Sequence, residues 1–203
     1  MIDTLFQYAK DSWGLLPLLF LLFVTGVAVI IERYVFFRRS VFGGRALQRA
    51  LNDMPAGDVR AAMQLRDDYR HTLQGKLVNS ALSAKGSTEH VFERRMEETI
   101  MDLMPRMDRY LWVLDTCVTL GPLLGLLGTI VHLIEAFGVL SHDSSHQVGS
   151  ITAPIAHALV ATAAGLVVAI TCVVFLNYFN KGIRVTVNQL DLIKSMLVNR
   201  FAA

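Results

Sequence analysis

Two histidines and a carboxylate, His132, His157 and Glu135, stand in stretches otherwise built almost entirely from Leu, Ile, Val, Ala and Gly. An ionisable side chain in such surroundings is costly unless it faces a cavity, water or a partner, so all three are candidates for handling a proton. Imidazole suits that task because it gains and loses a proton near neutral pH. Two hydroxyls, Thr129 and Thr162, stand in the same stretches and can both donate and accept a hydrogen bond. Gly125, Thr129, His132 and Ala136 follow the i, i+4, i+7, i+11 stripe of one helix face, and Glu135 lies a turn beyond His132. An antiparallel hairpin around a short connector would set Thr129 level with Thr162. It would also set His132 level with His157, and Cys117 with Cys172, the His layer lying about 3 Å from the Thr layer. The stripe is therefore a candidate lining for a proton pathway.

The elements that position these residues are spans of a membrane. The chain is 53% hydrophobic and 18% charged over 203 residues, a balance that argues against a water-soluble enzyme. No Asp, Glu, Lys or Arg occurs in the 20 residues Ser12–Ile31, the 19 residues Thr116–Ile134 or the 37 residues Ser144–Asn180. Each run is long enough to cross a bilayer as a helix. The expected fold is thus all-α, an integral membrane protein with three transmembrane helices. Residues 13–37 form the first span, 108–140 the second and 151–180 the third. The first is read as retained and not as a cleaved leader, because its start is not basic and Ile31-Glu32-Arg33 replaces a small-residue cleavage site. Of the 19 basic residues only Lys10 precedes the first span, and the connector 141–150 has none. The positive-inside rule then places residues 1–12 and 141–150 outside, with residues 38–107 and the C-terminal helix 181–203 in the cytoplasm.

The cytoplasmic segment reads as helical, with a break at Pro55-Ala56-Gly57 and Asp58 capping a helix that runs on toward Ala84. Lys85-Gly86-Ser87-Thr88 ends it, and one continuous element of about 50 residues is expected from Thr88 through the second span. Pro105 and Pro122 are the positions where it can kink. Beyond Lys181, Ile183, Val187, Leu190 and Leu197 form a stripe that needs helical neighbours. Small residues at Gly121, Gly125 and Gly128 in the second span, and Ala161, Gly165 and Ala169 in the third, provide faces for close backbone approach.

Other chemistry finds little support. Four of six histidines fall within 26 residues, and His142-x-x-x-His146 beside Asp143 is an incomplete ligand set for Zn²⁺ or Cu²⁺, so neither a metal nor another cofactor is assigned. Cys117 and Cys172 lie in apolar runs and read as small buried hydrophobes. No phosphate-cradling Gly-rich loop, CxxC or Gly-x-Ser-x-Gly motif is present, so the chain is not read as an enzyme. A net charge of +2, with basic residues interleaved with acids as in Glu93–Glu98, argues against nucleic acid.

The second-span sequence GPLLGLLGTIVHLIEAF, followed by PIAHALVATAAGLVVAI in the third, resembles the paired signature of the MotA/TolQ/ExbB proton-channel family. The exit of the first span, IIERYVFFRR, is similar to ExbB in particular. The resemblance covers the first span and residues from about 92 to 180. It implies a bacterial inner-membrane subunit that forms a homo-oligomer, pentameric in the family, around the helices of an ExbD-like single-span partner with an intramembrane Asp. It further implies that the proton-motive force reaches a TonB-like protein and the outer membrane, with membrane lipids as the surroundings. Thr129 and Thr162 match the polar Thr positions that face the family's central pore.

Three departures stand against that match. His157 replaces the Glu usual in the third-span motif, His132 replaces a Gly, and Ala169-Ile170-Thr171 lacks the Pro of the usual Ala-Ile-Pro. His157 therefore becomes the candidate to relay protons in place of the carboxylate. A non-conducting scaffold for a partner, and a His-gated or metal-responsive channel, are the alternative readings.

Overall fold

The computed structural model describes residues 14–41, 44–55, 58–142 and 148–201. Residues 1–13 and residues 143–147 of the connector lie outside the described residues. Among those described, seven α-helices and no strands occur. They are α1 Leu15–Ser40, α2 Gly44–Asp53, α3 Val59–Asp68, α4 Leu73–Ala84, α5 Glu89–Asp108, α6 Leu111–His142 and α7 Val148–Phe201. Three helical stretches, Leu15–Ser40, Glu89–Gly138 and Thr152–Phe201, are long and apolar enough to cross a membrane. The chain is therefore an all-α membrane protein.

The chain divides into two compact units, one from residues 1–31 and 110–177 and the other from residues 32–109 and 178–203. The second unit has a conventional core. Leu47 and Leu51 of α2, Leu77 and Val78 of α4, and Phe92 and Met96 of α5 are fully buried with Leu190, Ile193 and Leu197 of α7. The stripe expected beyond Lys181 therefore finds its helical neighbours. Lys194 reinforces the contact through ion pairs with Glu97 at 3.0 Å and Glu93 at 3.7 Å.

Asp58 caps α3, accepting from the backbone N–H groups of Arg60 at 3.0 Å and Ala61 at 3.2 Å. That helix does not continue to Ala84 as expected. It stops at Asp68, and Thr72 starts α4 by accepting from the N–H of Gly75 at 3.1 Å. Gly75 makes the corner feasible, since a Cβ there would lie 2.0 Å from the carbonyl oxygen of Tyr69. At the next corner Gly86 takes φ +87°, where a Cβ is disfavoured, as the Lys85–Thr88 break anticipates.

The continuous element expected from Thr88 is also interrupted. The chain stays helical through Pro105 and Pro122, and the break falls instead at Arg109–Tyr110, where Tyr110 takes φ 65°. At that break Arg33 of α1, only 1% exposed, donates through its guanidinium to the carbonyls of Arg106 at 3.0 Å and Met107 at 3.3 Å. Those are last-turn carbonyls with no helical N–H to receive, and a cation there also complements the helix dipole. Glu32 holds the same guanidinium at 2.5 and 2.7 Å, and the ring of Phe36 lies 4.6 Å beneath it.

Candidate functional site on α6 and α7

The first unit is built on backbone contact between α6 and α7. A Cβ at Gly165 would lie 2.3 Å from the carbonyl oxygen of Gly121, and one at Gly121 would lie 2.8 Å from that of Gly165. At Gly125 a Cβ would meet the Cα of Thr162 at 3.0 Å, and at Gly128 it would meet the Cβ of Ala161 at 2.7 Å. The Cβ of Ala169 lies 3.5 Å from the same point at Gly121. All six small residues named from the sequence thus line one seam, and their order shows that the helices run antiparallel. Bulk at these positions would separate the backbones, the usual reason for such residues between membrane helices.

The seam also orders the polar groups. Thr162 Oγ1 donates across it to the carbonyl of Gly125 at 3.0 Å. Thr129 Oγ1 instead bonds within α6, to the carbonyl of Leu126 at 2.7 Å, so the two hydroxyls are not bonded to each other. Beyond them the rings of His132 and His157 meet edge to face with centroids 6.0 Å apart. His132 is 2% exposed and its Nδ1 lies 2.7 Å from the carbonyl of Gly128. A carbonyl only accepts, so Nδ1 carries the hydrogen in this contact. His157 and Glu135 are half-buried. Ala136 completes the buried side of the stripe that holds Gly125 and His132. That stripe faces α7 within the chain.

Cys117 and Cys172, small buried hydrophobes by sequence, are both buried. The sulfurs of Cys117 and Cys172 converge on Gly26 of α1, where a Cβ would lie 3.7 and 2.9 Å from them. Gly26 is needed for that approach, and no periodic signal marked it because its partners come from two other helices. Among the described residues no group of three or more His, Cys, Asp or Glu side chains is placed to hold a metal ion. His146, and the side chain of His142, lie outside the described residues.

A family model described as the MotA/TolQ/ExbB proton channel family matches residues 68–192, which include the whole seam. The chain belongs to this family. Relatives within it are similar over most of the chain. A Synechocystis sp. protein bearing the name ExbB-like 1 is 31% identical over 167 residues, covering 81% of this chain and 65% of its own length. A second from Synechocystis sp., ExbB-like 3, is 32% identical, covering 75% of this chain and 74% of its own length. The biopolymer transport protein ExbB of Neisseria meningitidis is 26% identical over 191 residues, covering 88% of this chain and 86% of its own length. The MotA/TolQ/ExbB family is one of channels and transporters, and in this member His132 and His157 meet at a single point of the α6–α7 seam.

Proposed function

We propose that this chain is an ExbB-like proton-conducting subunit, not an enzyme, and that it forms a homo-oligomer around an ExbD-like single-span partner. In this reading it lies in the bacterial inner membrane with the N-terminus periplasmic and the C-terminus cytoplasmic. The proton-motive force then drives a TonB-like transducer that energises transport at the outer membrane. The observation that carries the reading is the His132–His157 pair, two imidazoles 6.0 Å apart between two apolar helices of a proton-channel family member. In this reading His132 takes and passes a proton at Nε2 while its Nδ1–H stays on the Gly128 carbonyl. His157 is then the neighbouring relay, Glu135 a further polar group one turn along α6 from His132, and Thr162 and Thr129 the hydroxyls that orient water toward the partner's Asp.

The test is proton flux, measured against pH, in proteoliposomes containing this chain and its single-span partner. His157→Ala should reduce flux on the order of tenfold or more, and His157→Glu should restore it with a shifted pH profile. Thr162→Ala should reduce flux while the complex still assembles. Unchanged flux in the assembled His157 variants would make the histidines structural and leave the non-conducting scaffold as the better account.

A further inference from the structure

A cleft of about 1020 Å³ opens in the second unit, between the end of α1, the start of α2 and the segment of α7 that begins at Tyr178. Three cations line it, Arg38, Arg49 and Lys181, and no Asp or Glu does. All three are exposed, and among the described residues none of them has an ion-pair partner. Aromatic and apolar side chains, among them Tyr34, Phe37, Val41 and Val185, form much of the remaining wall, with Thr186 and Gln189 the uncharged polar ones. Gly182 opens the wall, because a Cβ there would press to 3.0 Å on the ring of Phe37.

The position of the cleft along the sequence identifies what it meets. Lys181 directly follows the charge-free run that ends at Asn180, and Arg38 lies seven residues past Ile31, where the charge-free run of α1 stops. Tyr34 and Tyr178 stand at the same two exits, and tyrosine gathers where hydrocarbon gives way to headgroups. Where two spans leave the bilayer, the adjacent molecules present in quantity are phospholipids. An unopposed cluster of Lys and Arg beside spans selects the anionic ones.

We propose that this cleft is a binding site for one anionic glycerophospholipid. Its phosphate is held by Arg38, Lys181 and Arg49, and an acyl chain lies along Phe37 and Val185. A guanidinium offers paired N–H donors to phosphate oxygens, and the ammonium adds a point charge. The apolar wall distinguishes a lipid from a free anion, which gains nothing from Phe37.

The experiment uses the full chain, purified in detergent, stripped of lipid and titrated with phosphatidylglycerol, phosphatidylcholine or inorganic phosphate. Native mass spectrometry counts bound lipid and a thermal melt reports stabilisation. Phosphatidylglycerol should bind and raise the melting temperature, phosphatidylcholine should bind at least tenfold more weakly, and inorganic phosphate should do neither. Arg38→Gln with Lys181→Gln should weaken phosphatidylglycerol about thirtyfold, at about 1 kcal/mol per cation removed. Arg60→Gln, an exposed change on α3, should leave it unchanged, and Lys181→Arg should retain binding. Equal binding of the two lipids, or undiminished binding in the double variant, overturns the proposal. Full competition by inorganic phosphate reassigns the cleft to free anions. Cross-linking of a Val185→Cys variant to a second copy, undiminished by phosphatidylglycerol, reassigns it to a protein interface.

Discussion

Arg33 illustrates how a single side chain can cap a helix that belongs to a distant part of the sequence. Its guanidinium satisfies two carbonyls at the end of α5 while packed away from solvent. Removing it leaves those acceptors without their charged donor, and a hydrogen bond to a charged group contributes about 1.5–3 kcal/mol. Arg33→Met should therefore lower stability by about 3 kcal/mol and the melting temperature with it. Arg33→Lys, which keeps the charge but not the forked donors, should recover part of the loss. An Arg33→Met protein that melts with the wild type would show that the carbonyls are satisfied without it. Nothing local in the sequence announces this role, because Arg33 reads as one more cation at a span exit and its partners lie 73 and 74 residues away. The amide of Gln74 was equally illegible, buried with both polar atoms unpartnered among the described residues. By contrast His132, Glu135 and His157 were conspicuous from the sequence, since an ionisable group in an apolar run is rare whatever surrounds it.

Helix existence, and the seam between α6 and α7, were legible because both rest on local spacing. Gly and Ala at four-residue intervals have few uses in apolar helices other than close approach, and the hairpin register sets His132 against His157. Helix ends were less legible. The corner at Tyr69–Thr72 needs Gly75 to leave room for the Tyr69 carbonyl, a steric demand that helical spacing does not signal, and the carbonyls before the corner at Arg109–Tyr110 are bonded by Arg33 from a distant segment. The seam makes its own prediction. Gly165→Val would drive side-chain carbon into the Gly121 carbonyl, and overpacking of this kind costs about 1–3 kcal/mol or more where the backbone cannot yield. The variant should melt lower in detergent and lose assembled complex on size-exclusion chromatography. Leu159→Val, on the exposed face of α7, should change neither. Equal behaviour of the two variants would show that backbone contact at Gly165 does not hold the helices together.

For the molecule as a whole, the distribution of charge sets a topology that can be measured. In a variant with Cys117 and Cys172 replaced by Ala, Ser145→Cys should react with a membrane-impermeant maleimide on the periplasmic side. Arg60→Cys should react only after the membrane is permeabilised. The reverse pattern would overturn the orientation. The Arg33 clamp has a further consequence for the order of synthesis. A ribosome makes α1 first, so the cap for α5 already exists when Met107 emerges, and closing a loop of this length costs little more than closing one half as long. The clamp can therefore shut while α6 and α7 are still unmade. Leu47, Phe92 and Met96 then wait, uncovered, for Leu190, Ile193 and Leu197. During that interval the nascent chain presents an apolar face, and it is then that a chaperone would find something to hold.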